Sequence, residues 1–193
     1  MNKKKIISVG LALALTVGAV GCTKKAAVNE PNPKTTESNI PQEYTTNYTT
    51  GYNDYLYGLD KYNLYSNPGD INKIYENKEY PGNEAYLTDV KNAYKDSRDK
   101  IQGFVDTLKK ETDIKDADLK KKNEELIAEG EKAIKDIDAR LKNLEGVTSE
   151  YYTKSKEDFS KYVEETSTIK GNTENTFNKL VNDMNEMLGI KKK

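Results

Sequence analysis

The residue types able to do chemistry are unevenly supplied. The chain of 193 residues has no histidine, a single cysteine at position 22, 14 tyrosines, and 32 carboxylates against 31 cationic side chains. Without histidine the commonest general base and metal ligand is missing. With one thiol there is no internal disulfide and no cysteine cluster for a metal. Paired-carboxylate catalysis needs two acids desolvated in one cleft, whereas these acids alternate with lysines. The densest group, Asp113, Asp116 and Asp118, fails as a calcium loop. Counted from Asp116, the sixth and twelfth places hold Lys121 and Ile127, where a turn glycine and a bidentate glutamate are needed. Capping of a following helix is the simpler role for Asp116. The expectation is a protein that is not an enzyme and uses no cofactor and no metal.

Cys22 stands apart because of what precedes it. Lys3, Lys4 and Lys5 form a basic start, and an unbroken run of small and apolar residues follows from Ile6 to Val20. That run is short of the roughly 20 residues a membrane-spanning helix needs, and suits the apolar region of a secretory signal. It ends in Ala19-Val20-Gly21-Cys22. These residues resemble the lipobox of bacterial lipoproteins, with Ala19 where that family usually carries Leu; the resemblance covers residues 1–22 only. It implies cleavage between Gly21 and Cys22 and a diacylglyceryl group on the Cys22 sulfur. Two acyl chains anchor stably where one is marginal, since each buried CH₂ contributes about 0.8 kcal/mol. The expected location is the extracytoplasmic face of a cell membrane, with the lipid as the membrane contact.

Loss of residues 1–21 takes the formal charge from −1 to about −4, which gives no basic surface for nucleic acid. Leu, Ile, Val and Phe make up about a fifth of the chain, near the limit below which chains fail to fold. The low net charge and the tyrosines weigh towards order. Residues 22–40 hold little that can bury a face, and Pro31, Pro33 and Pro41 oppose helix. They read as a tether reaching at most about 60 Å. The division is therefore 1–21 signal peptide, 22–40 lipidated tether and 41–193 helical domain.

Within that domain the apolar spacing is helical throughout. Tyr44, Tyr48, Tyr52, Tyr55, Leu59 and Tyr62 mark a shorter tyrosine-rich helix, weakened by Gly51, Gly58 and a run of threonines. Turns follow at Ser66–Gly69 and Tyr80–Gly82, with Asp70 able to cap a short helix between them. Leu87, Val90, Tyr94, Ser97, Ile101, Phe104 and Leu108 step by three and four over three heptads. Leu119, Leu126, Gly130, Ile134, Ile137, Leu141 and Leu144 mark a second long helix, with Gly146 as its closing C′ glycine. From Thr148, as cap, to Gly189, a third stripe runs through Tyr152, Ser155, Phe159, Tyr162, Thr166, Ile169, Thr173, Phe177, Leu180, Met184 and Met187. It stays in phase across Gly171-Asn172, which favours one continuous helix. Acid-before-base pairs four apart, such as Glu131–Lys135 and Asp138–Lys142, fit exposed helix faces. The fold class is all-α: an elongated antiparallel helical bundle of three long helices plus the tyrosine-rich N-terminal helix. In layout it is similar to helical envelope lipoproteins of low-GC Gram-positive bacteria, a resemblance that fixes no residue.

Seven of the 14 tyrosines fall within residues 44–65. Most follow the helix face and so belong to packing. Tyr57 and Tyr65 fall off it and are the candidate binding surface, because tyrosine gives rigid amphipathic area at small entropic cost. Ser97, Ser155, Thr166 and Thr173 are polar places in otherwise apolar stripes. They either fix register or satisfy their hydroxyls on nearby carbonyls. Lys191, Lys192 and Lys193 can touch anionic lipid or wall polymer, or simply solubilise the end. The functional expectation is a membrane-anchored, non-enzymatic lipoprotein that binds a protein or cell-wall partner. The alternatives are a self-associating spacer and a small glycan- or peptide-binding module; oligomeric state is open.

Overall fold

The two strongest apolar stripes form the two longest helices. In the computed structural model, which describes residues 40–169 and 173–190 apart from the side chains of Asp60, Lys61 and residues 173–175, these are α3 (Asn83–Lys109) and α4 (Ala117–Glu145). Before them come α1 (Gln42–Gly51), a π-helical turn (Tyr52–Leu56), a 3₁₀ segment (Leu59–Ser66) and α2 (Ile71–Ile74). After them come a 3₁₀ segment (Ser149–Thr153), α5 (Lys156–Ser167) and α6 (Thr173–Met187). Every regular element among the described residues is helical. The expected signal peptide, Gly21, Cys22, the expected tether before Ile40, Gly171-Asn172 and Lys191–Lys193 lie outside the described residues.

Side-chain contacts give the direction of each layer. Along α3 towards its N-terminus, the partners on α4 move towards its C-terminus. Leu108 O accepts from Asn123 Nδ2 at 3.5 Å, Val105 faces Gly130, and Arg98 Nε meets Asp138 Oδ1 at 3.2 Å. The Arg140 guanidinium lies 5.9 Å over the Tyr94 ring. The two helices are antiparallel. The C-terminal layer runs with α3, since Phe159 of α5 packs on Tyr86 and Phe177 of α6 on Phe104. The N-terminal layer runs against it: Asn47 reaches Glu111, Gly51 lies on Thr107, and Tyr55 on Gly103. Four layers therefore alternate in direction around one core.

Leu87, Val90, Tyr94, Ile101, Phe104 and Leu108 are buried as their spacing predicts, with Ser97 half-buried. On α4, Leu119, Leu126, Gly130, Ile134, Ile137 and Leu144 are buried and Leu141 half-buried. Asp116 caps α4, its carboxylate accepting from Leu119 N at 2.8 Å, and Asp70 caps α2. Gly189 closes the C-terminal layer at φ +68°. Gly146 differs from expectation: its φ is −74°, so α4 ends without a left-handed cap.

The third stripe is not one helix. Thr148 precedes only the 3₁₀ segment, and α5 starts at a second cap, where Ser155 Oγ accepts from Asp158 N at 3.1 Å and donates to Asp158 Oδ2 at 2.8 Å. Ser155 is therefore an exposed N-cap rather than a seam residue. α5 then stops, and Thr168 is extended at φ −68°, ψ 127°. The Ser167 and Thr168 hydroxyls both donate to the Glu164 carbonyl, at 3.1 and 2.7 Å, a local alternative to continuing the helical ladder. The buried stripe also shifts from the expected one, to Phe159, Ser160, Val163 and Ser167, then Phe177, Val181, Met184 and Asn185. Tyr162, Thr166, Leu180 and Met187 are half-buried beside it.

The tyrosine-rich helix is likewise shorter than its stripe. Four threonine hydroxyls of α1 bond carbonyls one turn back, a pattern that weakens and bends helices. Tyr57 N then bonds Tyr52 O in a π-turn. The chain leaves the helix through Tyr57 (φ −62°, ψ 125°) and Gly58 (φ +79°, ψ 8°), the two central residues of a type II turn. Glycine takes the second place at no steric cost, where most side chains would be strained.

Candidate functional site

The turn at Tyr57-Gly58 sets the exposure of the first candidate. An extended residue at the first central place of a type II turn points its side chain outward, and Tyr57 is 56% exposed. Half-buried Tyr52, Tyr55, Leu59, Leu64 and Tyr65 lie before and after it, packed against the core along one side. Tyr65 is thus not free as its place off the stripe implies. Burial raises the pKa of its hydroxyl, and the negative charge of Asp89 adds to this. It belongs to a tyrosine cluster that the spacing alone does not reveal.

That cluster is assembled by the two turns flanking α2 and the start of α3. Tyr75, just after α2, donates its hydroxyl to Asp89 Oδ2 at 2.8 Å. Tyr80 donates to Asn83 Oδ1 at 2.6 Å, and Asn83 Nδ2 donates to the carbonyls of Tyr152 and Lys154, both at 2.9 Å. Asn83 thereby ties the first turn of α3 to the chain entering α5. Tyr86, fully buried, donates to the Pro68 carbonyl. The rings meet mostly edge to face: Tyr75 on Tyr80 at 5.5 Å, Tyr75 on Tyr86 at 6.3 Å, Tyr86 on Phe159 at 6.1 Å and Tyr152 on Phe159 at 5.8 Å. Such contacts set the positive ring edge against the negative face.

The electrostatics keep these phenols protonated. Burial pushes Tyr80 up to about 12, with Glu157 adding to the shift. Tyr75 and Tyr86 are raised further, in each case first by burial; hydrogen bonding and charge from Asp89 also act on Tyr75. Phenols held neutral are hydrogen-bond donors and stacking surfaces, not bases or nucleophiles. No group of three or more His, Cys, Asp or Glu able to hold a metal occurs among the described residues.

The opposite end of the bundle is polar in a different way. Tyr44, 2% exposed, donates to Asn123 Oδ1 at 2.9 Å, and Tyr48 donates to the Val181 carbonyl at 3.4 Å. Both hydroxyls are raised in pKa, by burial first. Asn185, one helical turn beyond Val181, is buried with neither amide atom hydrogen-bonded. The acids expected to pair along one helix in two cases reach across to another: Glu131 meets Lys109 at 2.7 Å and Asp138 meets Arg98.

Sequence spacing singled out Tyr57 and Tyr65 and missed Tyr75, Tyr80, Tyr86 and Tyr152. The available signs were the turn residues beside Tyr80 and the Tyr151-Tyr152 doublet. The contacts themselves join residues up to 73 positions apart. Among the described residues no helix is long and apolar enough to cross a membrane. No protein-family model matches the chain, and neither a curated protein nor a solved structure does.

Proposed function

We propose that this protein is an extracytoplasmic lipoprotein, cleaved before Cys22 and anchored by a lipid there, whose helical domain binds a protein or cell-wall partner without catalysing a reaction. The observation that carries the anchor is the order at the N-terminus: a basic start, fifteen small and apolar residues, then small residues leading into the chain's only cysteine. We read the domain as an elongated bundle held off the membrane by residues 22–40. Its two longest helices, of 27 and 29 residues, would each span about 40 Å. Binding is supported by Tyr57, a large ring held out on a turn and bordered by half-buried tyrosines. Such rings are favoured contact residues, since they bury much area while losing few rotamers.

Two measurements test this reading. Mass spectrometry of the protein from membranes should find a diacylglyceryl-modified Cys22 at the mature N-terminus, and Cys22→Ala should leave unprocessed precursor. An unmodified terminus elsewhere overturns the anchor. Crosslinking on intact cells should then recover a partner that Tyr57→Ala loses. Capture of further copies of this chain would favour the self-associating spacer. The exposed Tyr57 also leaves room for a glycan or peptide ligand. In that case a soluble glycan or peptide would compete with the captured partner and shift the melting temperature of the full chain.

A further inference from the structure

One ring pair differs in geometry from the edge-on cluster beside it. Tyr151, on the 3₁₀ segment Ser149–Thr153, stacks on Tyr162 of α5 with centroids 4.2 Å apart and planes within 10° of parallel. The rings of the cluster itself meet at angles from 42° to 89°. Both members of the stacked pair are half-buried, so one edge of each meets solvent. The neighbouring Tyr162 hydroxyl is the first cause that raises the pKa of Tyr151. Lys154 Nζ lies 5.8 Å over the Tyr151 ring. The separation of the stacked rings lies just below the roughly 4.5–7 Å usual for stacked and edge-to-face aromatic pairs.

We propose that Tyr151 and Tyr162 form a site of oxidative cross-linking, where peroxide acting through a one-electron oxidant joins the two rings as dityrosine. A tyrosyl radical carries unpaired density on the ring carbons next to the one bearing oxygen, in orbitals perpendicular to the ring plane. A parallel stack points those orbitals at each other, and an edge-on contact does not. Each phenol loses one electron and its phenolic proton, and hydrogen peroxide takes up both electrons and both protons to become two waters. The radicals then pair in one carbon–carbon bond. Each bonded carbon gives up its hydrogen while each oxygen regains one, so the pair loses two hydrogens in total. The centroid separation of two directly bonded benzene rings is close to that already present, but in the product they lie edge to edge, so bonding requires the rings to rotate out of their stack. The product ties the 3₁₀ segment to α5 across the turn at Lys154 and Ser155.

Exposure alone predicts a different product, because Tyr57 is much the more accessible ring and would join two chains. The test treats the full chain in detergent micelles with a haem peroxidase and limiting hydrogen peroxide, then separates monomer from dimer. Trypsin places Tyr151 in the peptide from Asn143 to Lys154 and Tyr162 in the peptide from Tyr162 to Lys170. The expected result is blue dityrosine fluorescence in the monomer, carried by these two peptides joined with the loss of two hydrogens. Fragmentation should place the bond at Tyr151, not Tyr152. Tyr162→Phe, which keeps the ring and with it the fold, should reduce the conjugate to background, and Tyr57→Phe should leave it unchanged. Dityrosine confined to dimers, a conjugate that survives Tyr162→Phe, or peroxide consumption without dityrosine would each overturn the proposal.

Discussion

The α3–α4 hairpin and the N-terminal layer that covers it close the same core with different chemistry. The hairpin buries mainly Leu, Val, Ile, Ala and Phe, whose atoms need nothing beyond contact, with Tyr86, Tyr94 and Asn123 as its polar-tipped exceptions. The N-terminal layer buries Tyr44 and Tyr48, whose hydroxyls require partners, and finds them on other layers in Asn123 and the Val181 carbonyl. The hairpin is regular along its length, whereas the covering layer passes through α-, π- and 3₁₀-helix within 25 residues. An aliphatic stripe specifies a helix face by itself. A tyrosine stripe specifies it only together with the acceptor each hydroxyl meets.

Alkaline pH should act most strongly on the buried tyrosines, which lie in the segments before α3 and, for Tyr86, in its first turn. Tyr44, Tyr48, Tyr75, Tyr80 and Tyr86 have folded pKa values above the ordinary 10.0, so the folded state holds their protons longer than the unfolded chain does. The stability this represents is complete below pH 10 and is lost as pH rises through that value, towards about 12 for Tyr80. The share of tyrosinate absorbance from these five residues should therefore lag until helical circular dichroism falls, and the two should then change together. Titration of every tyrosine near pH 10 with helicity intact would break the comparison.

Core truncation is the next largest effect. Phe104→Ala removes a fully buried ring that touches Tyr48 and Phe177, and should cost about 3–5 kcal/mol in urea unfolding. Tyr52→Ala, half-buried in the covering layer, should cost much less. The two buried asparagines sharpen the point about partners. Asn123→Leu strands the Tyr44 hydroxyl and should destabilise by about 1–3 kcal/mol, while Asn185→Leu removes an amide without partners and should be neutral or raise the melting temperature.

Two glycines give a smaller contrast. A Cβ at Gly130 would stand 2.5 Å from Val105 Cγ2 and 3.1 Å from the Phe177 ring, both buried and unable to retreat. Gly130→Ala should lose about 1–3 kcal/mol despite better helix propensity. At Gly103 the obstructing atoms belong to the ring of Tyr55, which is half-buried at the edge of the core and has more room to give than Val105 and Phe177. There the gain of about 1 kcal/mol in propensity should roughly offset the lost contact. Faster amide exchange confined to residues 52–56 would still be expected. Smallest of all, Asp138→Asn removes an exposed ion pair with Arg98 and should change stability by about 0–1 kcal/mol, vanishing at high salt.

The sequence by itself determined the helical class, the register of α3 and α4, the Asp116 and Asp70 caps, and the terminating role of Gly189. Each follows from local spacing or from one residue acting on its own backbone. It also placed Tyr57 outside the packed stripe. The break of the third stripe at Thr168 became visible only in the structure, because the competition of the Ser167 and Thr168 hydroxyls for the Glu164 carbonyl is local but leaves no mark in the apolar spacing. Only the tertiary structure gathered Tyr65, Tyr75, Tyr80, Tyr86 and Tyr152 at one end and stacked Tyr151 on Tyr162. Those rings come from separate turns, and their positions depend on chain directions that no local pattern encodes.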